Sequence, residues 1–261
     1  MDLKLKDKVI IVTGGASGIG EAIVRSAVNE GAVPIIVNRS EDKGKELEKE
    51  LLDAGHQCLF VQADLSKKEA CKKAIDETVS KFAKIDVLIN NAGYNDSIGL
   101  ENGSPEQFME SIQNNIFHYY VLAHYALPHL IKSKGNIINI SSKTAVTGQG
   151  NSSAYIASKA GQLGLTREWA VELLPYGIRV NAVLPAEVMT PMYRGWLNSY
   201  DNPEAKLKEI TQRIPLGQRM TTPEEIAATV LFTASEQAGH TTGQYLFPDG
   251  GYTHLDRAIG S

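Results

Sequence analysis

Short runs of consecutive apolar residues recur along the chain at regular intervals. They are rich in valine and isoleucine, and their length and unbroken apolar character predict strands that are buried on both faces. Longer segments with helical periodicity separate these runs. The predicted strands are 8–13, 33–38, 58–62, 86–90, 135–141, 178–184 and 244–247, and the predicted helices include 19–30, 41–54, 67–83, 105–132 and 155–175.

The strict alternation of strand and helix predicts an α/β fold. We expect a single doubly wound, Rossmann-type domain over residues 1–261, with a seven-stranded parallel sheet and helices on both faces. The segment 186–222 breaks the alternation and has no strand pattern, although it is rich in methionine and aromatic residues. Long irregular segments in compact domains are commonly functional, so we expect a substrate lid at about 186–222. The alternative is a peripheral helix pair whose aromatic side chains pack on the core.

Composition narrows the possible functions. Acidic residues outnumber basic ones, 30 to 26, whereas nucleic-acid and polybasic membrane binding both need a concentrated positive face. Two cysteines, Cys58 and Cys71, are too few for a disulfide framework and lack metal-ligand spacing. No apolar stretch approaches the ~20 residues that span a bilayer, and the chain starts without the apolar region of a signal peptide. We therefore expect a cytoplasmic protein that binds neither nucleic acid nor membrane.

The sequence "TGGASGIG", residues 13–20, follows the first predicted strand and opens the first predicted helix. Glycine permits a tight turn and a close approach of the main chain, and a helix N-terminus offers unpaired N–H groups to a pyrophosphate. A glycine-rich turn can also be purely structural, but the flanking strand and helix favour dinucleotide binding. The residues expected to contact the cofactor here are Gly14, Ser17, Gly18, Ile19 and Gly20.

The end of the second strand reads Asn38-Arg39-Ser40, where an acidic residue would bind the ribose 2′-hydroxyl of NAD. A guanidinium without a neighbouring carboxylate suits a 2′-phosphate, so these three residues predict a preference for NADP over NAD. Arg39 could instead be a solvated surface arginine. The turns "ADLS" (63–66) and "NNAG" (90–93) follow the third and fourth strands, and Asp64 could accept a hydrogen bond from adenine.

Several motifs occur together in this order and cover nearly the whole chain. They are Thr13-Gly14-x-x-x-Gly18-x-Gly20, Asn90-Asn91-Ala92-Gly93, Asn115, Ser142, Tyr155-x-x-x-Lys159 and Pro185 after the sixth strand. In this combination the chain resembles the short-chain dehydrogenases/reductases. Within that family it is most similar to the aldose dehydrogenases, on the stretches 139–151, 165–173, 185–194 and 249–258.

The resemblance implies a catalytic set. Tyr155 would be the acid/base, and Lys159, one helical turn on, would supply an ammonium that favours the phenolate and would bind the nicotinamide ribose. Ser142 would hold the substrate oxygen. Asn115 would anchor a water that links Lys159 to solvent, with Asn114 as a minor competitor for that role.

The resemblance also implies further contacts and an assembly. A homotetramer would be built on the helices at 105–132 and 155–175. The additional cofactor contacts would be Leu65, Asn91, Ala92, Gly93, Tyr155, Lys159, Pro185 and Val188.

The chain departs from the family after the sixth strand, where Pro185-Ala186-Glu187 replaces the usual Pro-Gly. Glu187 is a candidate to bind substrate hydroxyls, since polyols favour charged acceptors; the alternative is an exposed glutamate on the lid. No cluster of His, Cys and Asp predicts a metal site. The other candidate substrate residues are Ser142, Lys143, Gln149, Asn95 and Trp196, with Asp96 and His118 also near the expected mouth.

These observations predict an NADP(H)-preferring enzyme that oxidises the anomeric hydroxyl of an aldose, such as L-fucose or a related sugar, to the lactone. The same machinery could instead reduce a 3-oxoacyl thioester or another ketone, which would favour a basic entrance and an apolar groove. A non-catalytic dinucleotide-sensing module is a third possibility, but it has no need of Ser142, Tyr155, Lys159 and Asn115 together.

Overall fold

The computed structural model describes residues 1–255. Residues 256–258 of the stretch 249–258, and the end of the predicted domain at 261, lie outside the described residues.

The described residues contain the predicted parallel sheet, with the strand order β3-β2-β1-β4-β5-β6-β7. Every neighbouring pair is parallel, and the order reverses direction between β1 and β4, as in a doubly wound Rossmann-type fold. The predicted fold class is therefore confirmed. The strands are β1 Val9–Thr13, β2 Val33–Asn38, β3 Leu59–Gln62, β4 Val87–Asn90, β5 Asn136–Ile140, β6 Arg179–Val183 and β7 Tyr245–Leu246.

Helices cover both faces of the sheet. The α-helices are α1 Gly18–Asn29, α2 Glu41–Asp53, α3 Lys68–Phe82, α4 Pro105–Ile112, α5 His118–Ser133, α6 Thr144–Thr147, α7 Ser153–Glu172, α8 Pro191–Leu197, α9 Pro203–Thr211 and α10 Pro223–Ala234, and 3₁₀ turns occur at Leu174–Tyr176 and Glu236–Ala238. Residues of α1, α2 and α10 form an apolar cluster on one face, and residues of α3, α5 and α7 form another on the opposite face. The five central strands are buried almost throughout, which explains their unbroken apolar runs, whereas the edge strands β3 and β7 are only partly buried.

The predicted helix at 105–132 is interrupted. A π-helical turn over Gln113–Phe117 separates α4 from α5, and Asn115 lies fully buried at its centre. Such turns are rare and are frequently found at functional sites. Apolar periodicity does not reveal the interruption, because the helical pattern of apolar and polar residues continues across Gln113–Phe117. The homotetramer expected on this segment stays a prediction.

The segment 186–222 contains the two short helices α8 and α9. The side chains of Thr190 and Asn202 cap them, and a proline follows each cap. The alternative interpretation, a peripheral helix pair, therefore describes its secondary structure correctly. Its role as a substrate lid stays a prediction.

None of the helices in residues 1–255 is long and apolar enough to cross a membrane. Over the same residues, no three His, Cys, Asp or Glu side chains are grouped so as to hold a metal ion. Cys58 and Cys71 are buried free thiols. Burial raises the pKa of the Cys58 thiol to about 11 and that of Cys71 to about 12, which leaves both unreactive at neutral pH.

Candidate active site

The glycine-rich turn is tied to the strand beside it. Thr13 Oγ1 accepts hydrogen bonds from the main-chain N–H groups of Asn91 and Ala92 at 2.8 and 2.9 Å, and Asn91 Nδ2 donates to the Thr13 carbonyl at 2.8 Å. The two predicted turns therefore form one unit at the carboxyl edge of β1 and β4.

The start of α1 is left open toward the cavity. No side chain caps its first turn, although Ser17 occupies the N-cap position. Gly14 has a φ of +65°, which favours glycine, and a Cβ on Gly20 would lie 2.2 Å from the Gly14 carbonyl oxygen. The glycines thus bring the main chain around a helix N-terminus, the arrangement that binds a phosphate.

The far side of this unit is formed by the ends of β2 and β3. Arg39 lines the cavity, and its guanidinium makes no hydrogen bond or ion pair within residues 1–255. Hydrogen bonds from the Ser66 hydroxyl and main chain lower the pKa of Asp64, so this carboxylate is an ionised acceptor. Asn38 Nδ2 is directed at the Ser40 carbonyl at 3.3 Å.

A cavity of about 540 Å³ runs from the glycine-rich turn to the end of β5. An elongated cavity that joins an open helix N-terminus to a tyrosine–lysine pair fits a dinucleotide. Of the predicted cofactor contacts, Gly20 and Ser40 do not line it: Gly20 is a packing requirement inside α1, and Ser40 is the N-cap of α2. The predicted contacts that line it are Gly14, Ser17, Gly18, Ile19, Asn38, Arg39, Asp64, Leu65, Asn91, Ala92, Gly93, Tyr155, Lys159, Pro185 and Val188.

Tyr155 and Lys159 lie one turn apart on α7 and both line the cavity. Burial raises the pKa of Tyr155 to about 12, although a hydrogen bond with Ser142 opposes the shift. Burial also lowers the pKa of Lys159 to about 7. Desolvation dominates both shifts, and the expectation that the Lys159 ammonium favours the phenolate stays a prediction.

Hydrogen bonds at the end of β5 fix the position of Lys159. Its Nζ lies 5.6 Å from the centroid of the Tyr155 ring and donates a hydrogen bond to the Ile140 carbonyl at 2.7 Å. Ser141 fixes the same turn of α7, since its hydroxyl donates to the Lys159 carbonyl at 2.8 Å. The ammonium is thus only 3% exposed and is held by the end of β5.

A chain of buried amides supports the catalytic residues from behind. Asn90 Nδ2 donates to Asn139 Oδ1 at 3.0 Å, Asn139 Nδ2 donates to Thr166 Oγ1 at 2.9 Å, and that hydroxyl donates to the Gln162 carbonyl at 2.7 Å. Gln162 Nε2 in turn donates to the Asn115 carbonyl at 2.7 Å. The network joins β4, β5 and α7 to the π-helical turn, and within it Asn90 ties the ends of the neighbouring strands β4 and β5 together.

Asn115 rather than Asn114 occupies the buried position next to this network. Its Oδ1 accepts from the Tyr94 N–H at 2.8 Å, whereas Asn114 is partly exposed and donates to the Tyr94 hydroxyl at 3.3 Å. The geometry therefore favours Asn115 for the role that the resemblance implies.

Next to Ser142, a polar cluster joins three segments of the chain. Lys143 Nζ pairs with Glu187 Oε1, and the other carboxylate oxygen accepts from the Tyr193 hydroxyl at 2.6 Å. The same ammonium lies 3.5 Å from the centroid of the Tyr252 ring. Both charged side chains are largely buried, so the interpretation of Glu187 as an exposed glutamate is wrong. Burial, followed by the Glu187 charge, raises the pKa of Tyr193, which keeps its hydroxyl protonated as a donor.

A second polar group lies where the segment after β4 meets the N-terminus of α7. The Ser152 hydroxyl accepts from Asn95 Nδ2 at 3.0 Å and from Gln149 Nε2 at 3.3 Å. Asp96 Oδ1 is buried without a hydrogen-bond partner among residues 1–255. Of the predicted substrate residues, Ser142 lines the cavity, whereas Asn95, Gln149, Lys143 and Glu187 lie outside its lining.

Trp196 lies away from the cavity. Its ring is 44% exposed and packs edge-on between Tyr193 and Tyr200, with centroid distances of 5.1 Å to each. The side of α8 that faces the cavity instead presents Met192 and Tyr193. The predicted contact of Trp196 with substrate therefore has no support from the geometry.

The family described as enoyl-(acyl carrier protein) reductase matches residues 14–253. An L-fucose dehydrogenase of Rattus norvegicus is 40% identical over 245 residues, which cover 94% of this chain and 88% of the rat protein. The chain belongs to the short-chain dehydrogenase/reductase family. It is therefore an oxidoreductase of a fold that binds an NAD(P) cofactor.

Solved structures of this short-chain dehydrogenase/reductase fold are similar over almost the entire chain. The Cj0485 dehydrogenase is 48% identical with a TM-score of 0.93, covering 99% of this chain and 98% of its own. The aldohexose dehydrogenase of Thermoplasma acidophilum is 33% identical with a TM-score of 0.89, covering 98% of both chains.

Sequence motifs alone did not single out every residue at the site of this short-chain dehydrogenase/reductase. Tyr193, Met192 and Thr190 line the cavity from the segment 186–222, and the wealth of aromatic residues there was the only signal for them. Tyr94 and Ser141 also line it, directly after the "NNAG" turn and directly before Ser142. Their position next to a recognised motif could have identified both Tyr94 and Ser141 as candidates.

Proposed function

We propose that this protein is an NADP(H)-preferring dehydrogenase that oxidises the anomeric hydroxyl of an aldose, L-fucose or a related sugar, to the lactone. The observation that carries the proposal is the buried cluster of Lys143, Glu187 and Tyr193 beside Ser142. A sugar ring presents hydroxyl groups on several sides, and charged donors and acceptors bind them most strongly.

The proposed chemistry uses the residues at the end of β5 and on α7. Ser142 holds the oxygen of the anomeric hydroxyl, and Tyr155 removes its proton. When bound, the oxidised nicotinamide accepts the hydride, and its positive charge favours the phenolate form of the tyrosine. Lys159 holds the ribose and supplies a second positive charge. Since the protein groups leave the pKa of Tyr155 at about 12, we expect the rate of oxidation to rise with pH above neutrality.

Arg39 supports the preference for NADP. It lies at the cavity wall with no ion pair in residues 1–255, and neither Asn38 nor Ser40 offers a carboxylate to a ribose 2′-hydroxyl. An unpaired guanidinium can bind a 2′-phosphate with two parallel hydrogen bonds.

The charged side chains of Lys143 and Glu187 beside Ser142 favour a sugar over an acyl thioester as the substrate. A thioester reductase would bury an acyl chain, which gains little from the charged Lys143–Glu187 pair beside Ser142, whereas sugar hydroxyls bind well to charged groups. The description of the matching family, enoyl-(acyl carrier protein) reductase, and the shared machinery still make a carbonyl reductase the second candidate.

A substrate panel tests the proposal. Purified protein is mixed with L-fucose, L-galactose, D-arabinose and L-rhamnose, each with NADP or NAD, and with a 3-oxoacyl thioester and NADPH, while the absorbance of reduced nicotinamide is followed. We expect oxidation of at least one aldose with a higher kcat/KM for NADP than for NAD. Reduction of the thioester alone would replace the proposal by the second candidate. No turnover of any compound, with tight cofactor binding, would identify a non-catalytic dinucleotide-sensing module.

A further inference from the structure

One member of the polar cluster beside Ser142 lies on the wall of the active-site cavity. Tyr193 lines this cavity, whereas its two charged neighbours, Lys143 and Glu187, lie outside the lining. A substrate in the cavity would therefore contact Tyr193 before either charged side chain.

The position of Tyr193 is fixed at its backbone, its ring and its hydroxyl. The main-chain N–H donates to the Thr190 hydroxyl at 3.2 Å, which caps α8, and the ring packs edge-on against Trp196 with a centroid distance of 5.1 Å. The hydroxyl donates to Glu187 Oε2 at 2.6 Å. A side chain whose orientation is fixed by such contacts can select between ligands that differ by one group.

Glu187 is held in place by contacts of its own. Its other carboxylate oxygen pairs with the Lys143 ammonium, which also lies 3.5 Å from the centroid of the Tyr252 ring. The Glu187 carbonyl accepts from the Thr221 N–H at 3.0 Å. Both carboxylate oxygens therefore have partners, and an ionised carboxylate can only accept hydrogen bonds.

The carboxylate determines what Tyr193 can offer to a ligand. A phenol has one proton, and the hydrogen bond to Glu187 uses it. Burial, followed by the Glu187 charge, raises the pKa of the phenol and keeps that proton in place. The phenol oxygen can still accept a hydrogen bond from a hydroxyl group, but it has no second proton for a carbonyl, an ether or a fluorine.

We propose that Tyr193 is a specificity-determining residue that accepts a hydrogen bond from one hydroxyl group of the sugar, because Glu187 leaves its oxygen no proton to donate. The inference rests on the proposed function for the identity of the substrate as a sugar. The recognised group is a free hydroxyl on a carbon other than C1, since Ser142 and Tyr155 hold the oxygen at C1. A sugar that lacks this hydroxyl, or carries it as an ether, is a poor substrate.

Substrate analogues and variants of the complete protein test the inference together. In the aldose that wild type oxidises, each free hydroxyl other than the anomeric one is replaced in turn by hydrogen and by fluorine. Fluorine can accept a hydrogen bond but cannot donate one. Tyr193→Phe removes the phenol oxygen and keeps the ring. Tyr200→Phe is the control, because it makes the same change at an exposed position outside the cavity lining.

At one carbon we expect both the deoxy and the deoxyfluoro analogue to lose about 10-fold in kcat/KM with wild type, since either change leaves the phenol oxygen without its donor. In Tyr193→Phe the parent sugar should lose a similar factor, mainly through KM, and these two analogues should lose nothing further. Tyr200→Phe should behave as wild type with all three sugars.

Glu187→Gln tests the origin of the acceptor. The Lys143 ammonium needs an acceptor, so the amide oxygen should stay with Lys143 and the amide NH₂ should face the phenol. The amide then donates to the Tyr193 oxygen, and the phenol proton becomes available to a ligand. We expect the deoxyfluoro analogue to have a higher kcat/KM than the deoxy analogue in this variant, whereas wild type treats the two alike.

The inference would be overturned by deoxyfluoro analogues that match the parent sugar at every carbon in wild type. An equal loss for the parent and every analogue in Tyr193→Phe would also overturn it and would indicate a structural role. Equal use of the two analogues in Glu187→Gln would overturn the part assigned to the carboxylate. If wild type oxidises no aldose, the proposed function itself fails, whereas sugar oxidation with the wrong analogue pattern overturns this inference alone.

Discussion

At the glycine-rich turn the cavity wall is main chain, whereas beside Ser142, at the proposed substrate end, a buried cluster of charged and polar side chains joins the cavity through Tyr193. Gly14 and Gly20 bring backbone atoms so close that a single added Cβ would lie 2.2 Å from a carbonyl oxygen. Lys143 follows β5, Glu187 follows β6 and Tyr193 lies on α8, and the three meet through their side chains. We therefore expect cofactor binding to depend on backbone shape, which tolerates little variation, and substrate choice to depend on side-chain charge, which a single substitution can alter.

Tyr155→Phe should slow the chemical step without weakening the binding of cofactor or substrate. We expect kcat to fall about 1,000-fold, since a positioned acid/base contributes roughly 10²–10⁴-fold. The Kd for NADPH, measured by fluorescence, should stay within twofold of wild type, because the glycine-rich turn is unchanged. Tyr176→Phe, which removes an exposed phenol beyond the end of α7, is the control and should leave both values unchanged. Substantial activity in Tyr155→Phe would refute the proposed mechanism.

Arg39→Ala tests the one charged side chain proposed for the cofactor end. We expect the Kd for NADPH to rise about 10-fold to 100-fold, since hydrogen bonds to charged groups contribute about 1.5–3 kcal/mol. The Kd for NADH should change less than twofold. Lys43→Ala removes an exposed charge from α2 nearby and should affect neither cofactor. Equal weakening of NADPH and NADH would show that Arg39 does not distinguish them.

Glu187→Gln tests the substrate end. We expect KM for the sugar substrate to rise about 10-fold, because the substitution removes the charge that pairs with the buried Lys143 ammonium and leaves a neutral amide, a weaker acceptor for hydroxyl groups. The Kd for NADPH should not change. Glu204→Gln makes the same charge change at an exposed position of α9 and serves as the control. An unchanged KM in Glu187→Gln would remove the carboxylate from substrate recognition.

The sheet and most of the cofactor end could be predicted because their determinants are local. A run such as 9–13 is apolar at every position since both faces are covered, and the glycine-rich turn follows it directly. The interruption at Gln113–Phe117 could not be predicted, because the π-helical turn depends on tertiary contacts such as the hydrogen bond from Gln162 to the Asn115 carbonyl. Apolar periodicity does not encode such contacts.

The substrate end was predicted only in part for the same reason. Lys143 and Glu187 were both candidates, but the sequence could not show that they pair across 44 positions. Trp196 was selected for its ring, yet the direction of α8 turns Tyr193 toward the cavity instead. The pKa values of Tyr155 and Lys159 also depend on burial, which the helical spacing of the two residues does not reveal.

The ion pair between Lys143 and Glu187 also constrains how this enzyme can evolve. The loops after β5 and β6 are held in register by the Lys143 N–H, which donates to the Pro185 carbonyl at 3.0 Å, so the two side chains remain neighbours whatever their identity. Loss of either charge leaves the other buried without a partner, which is destabilising. Replacement of both by uncharged residues avoids the cost of that unpaired buried charge. Divergence toward a less polar substrate would then proceed through paired substitutions at 143 and 187, and a laboratory library aimed at new substrates should vary these two codons together.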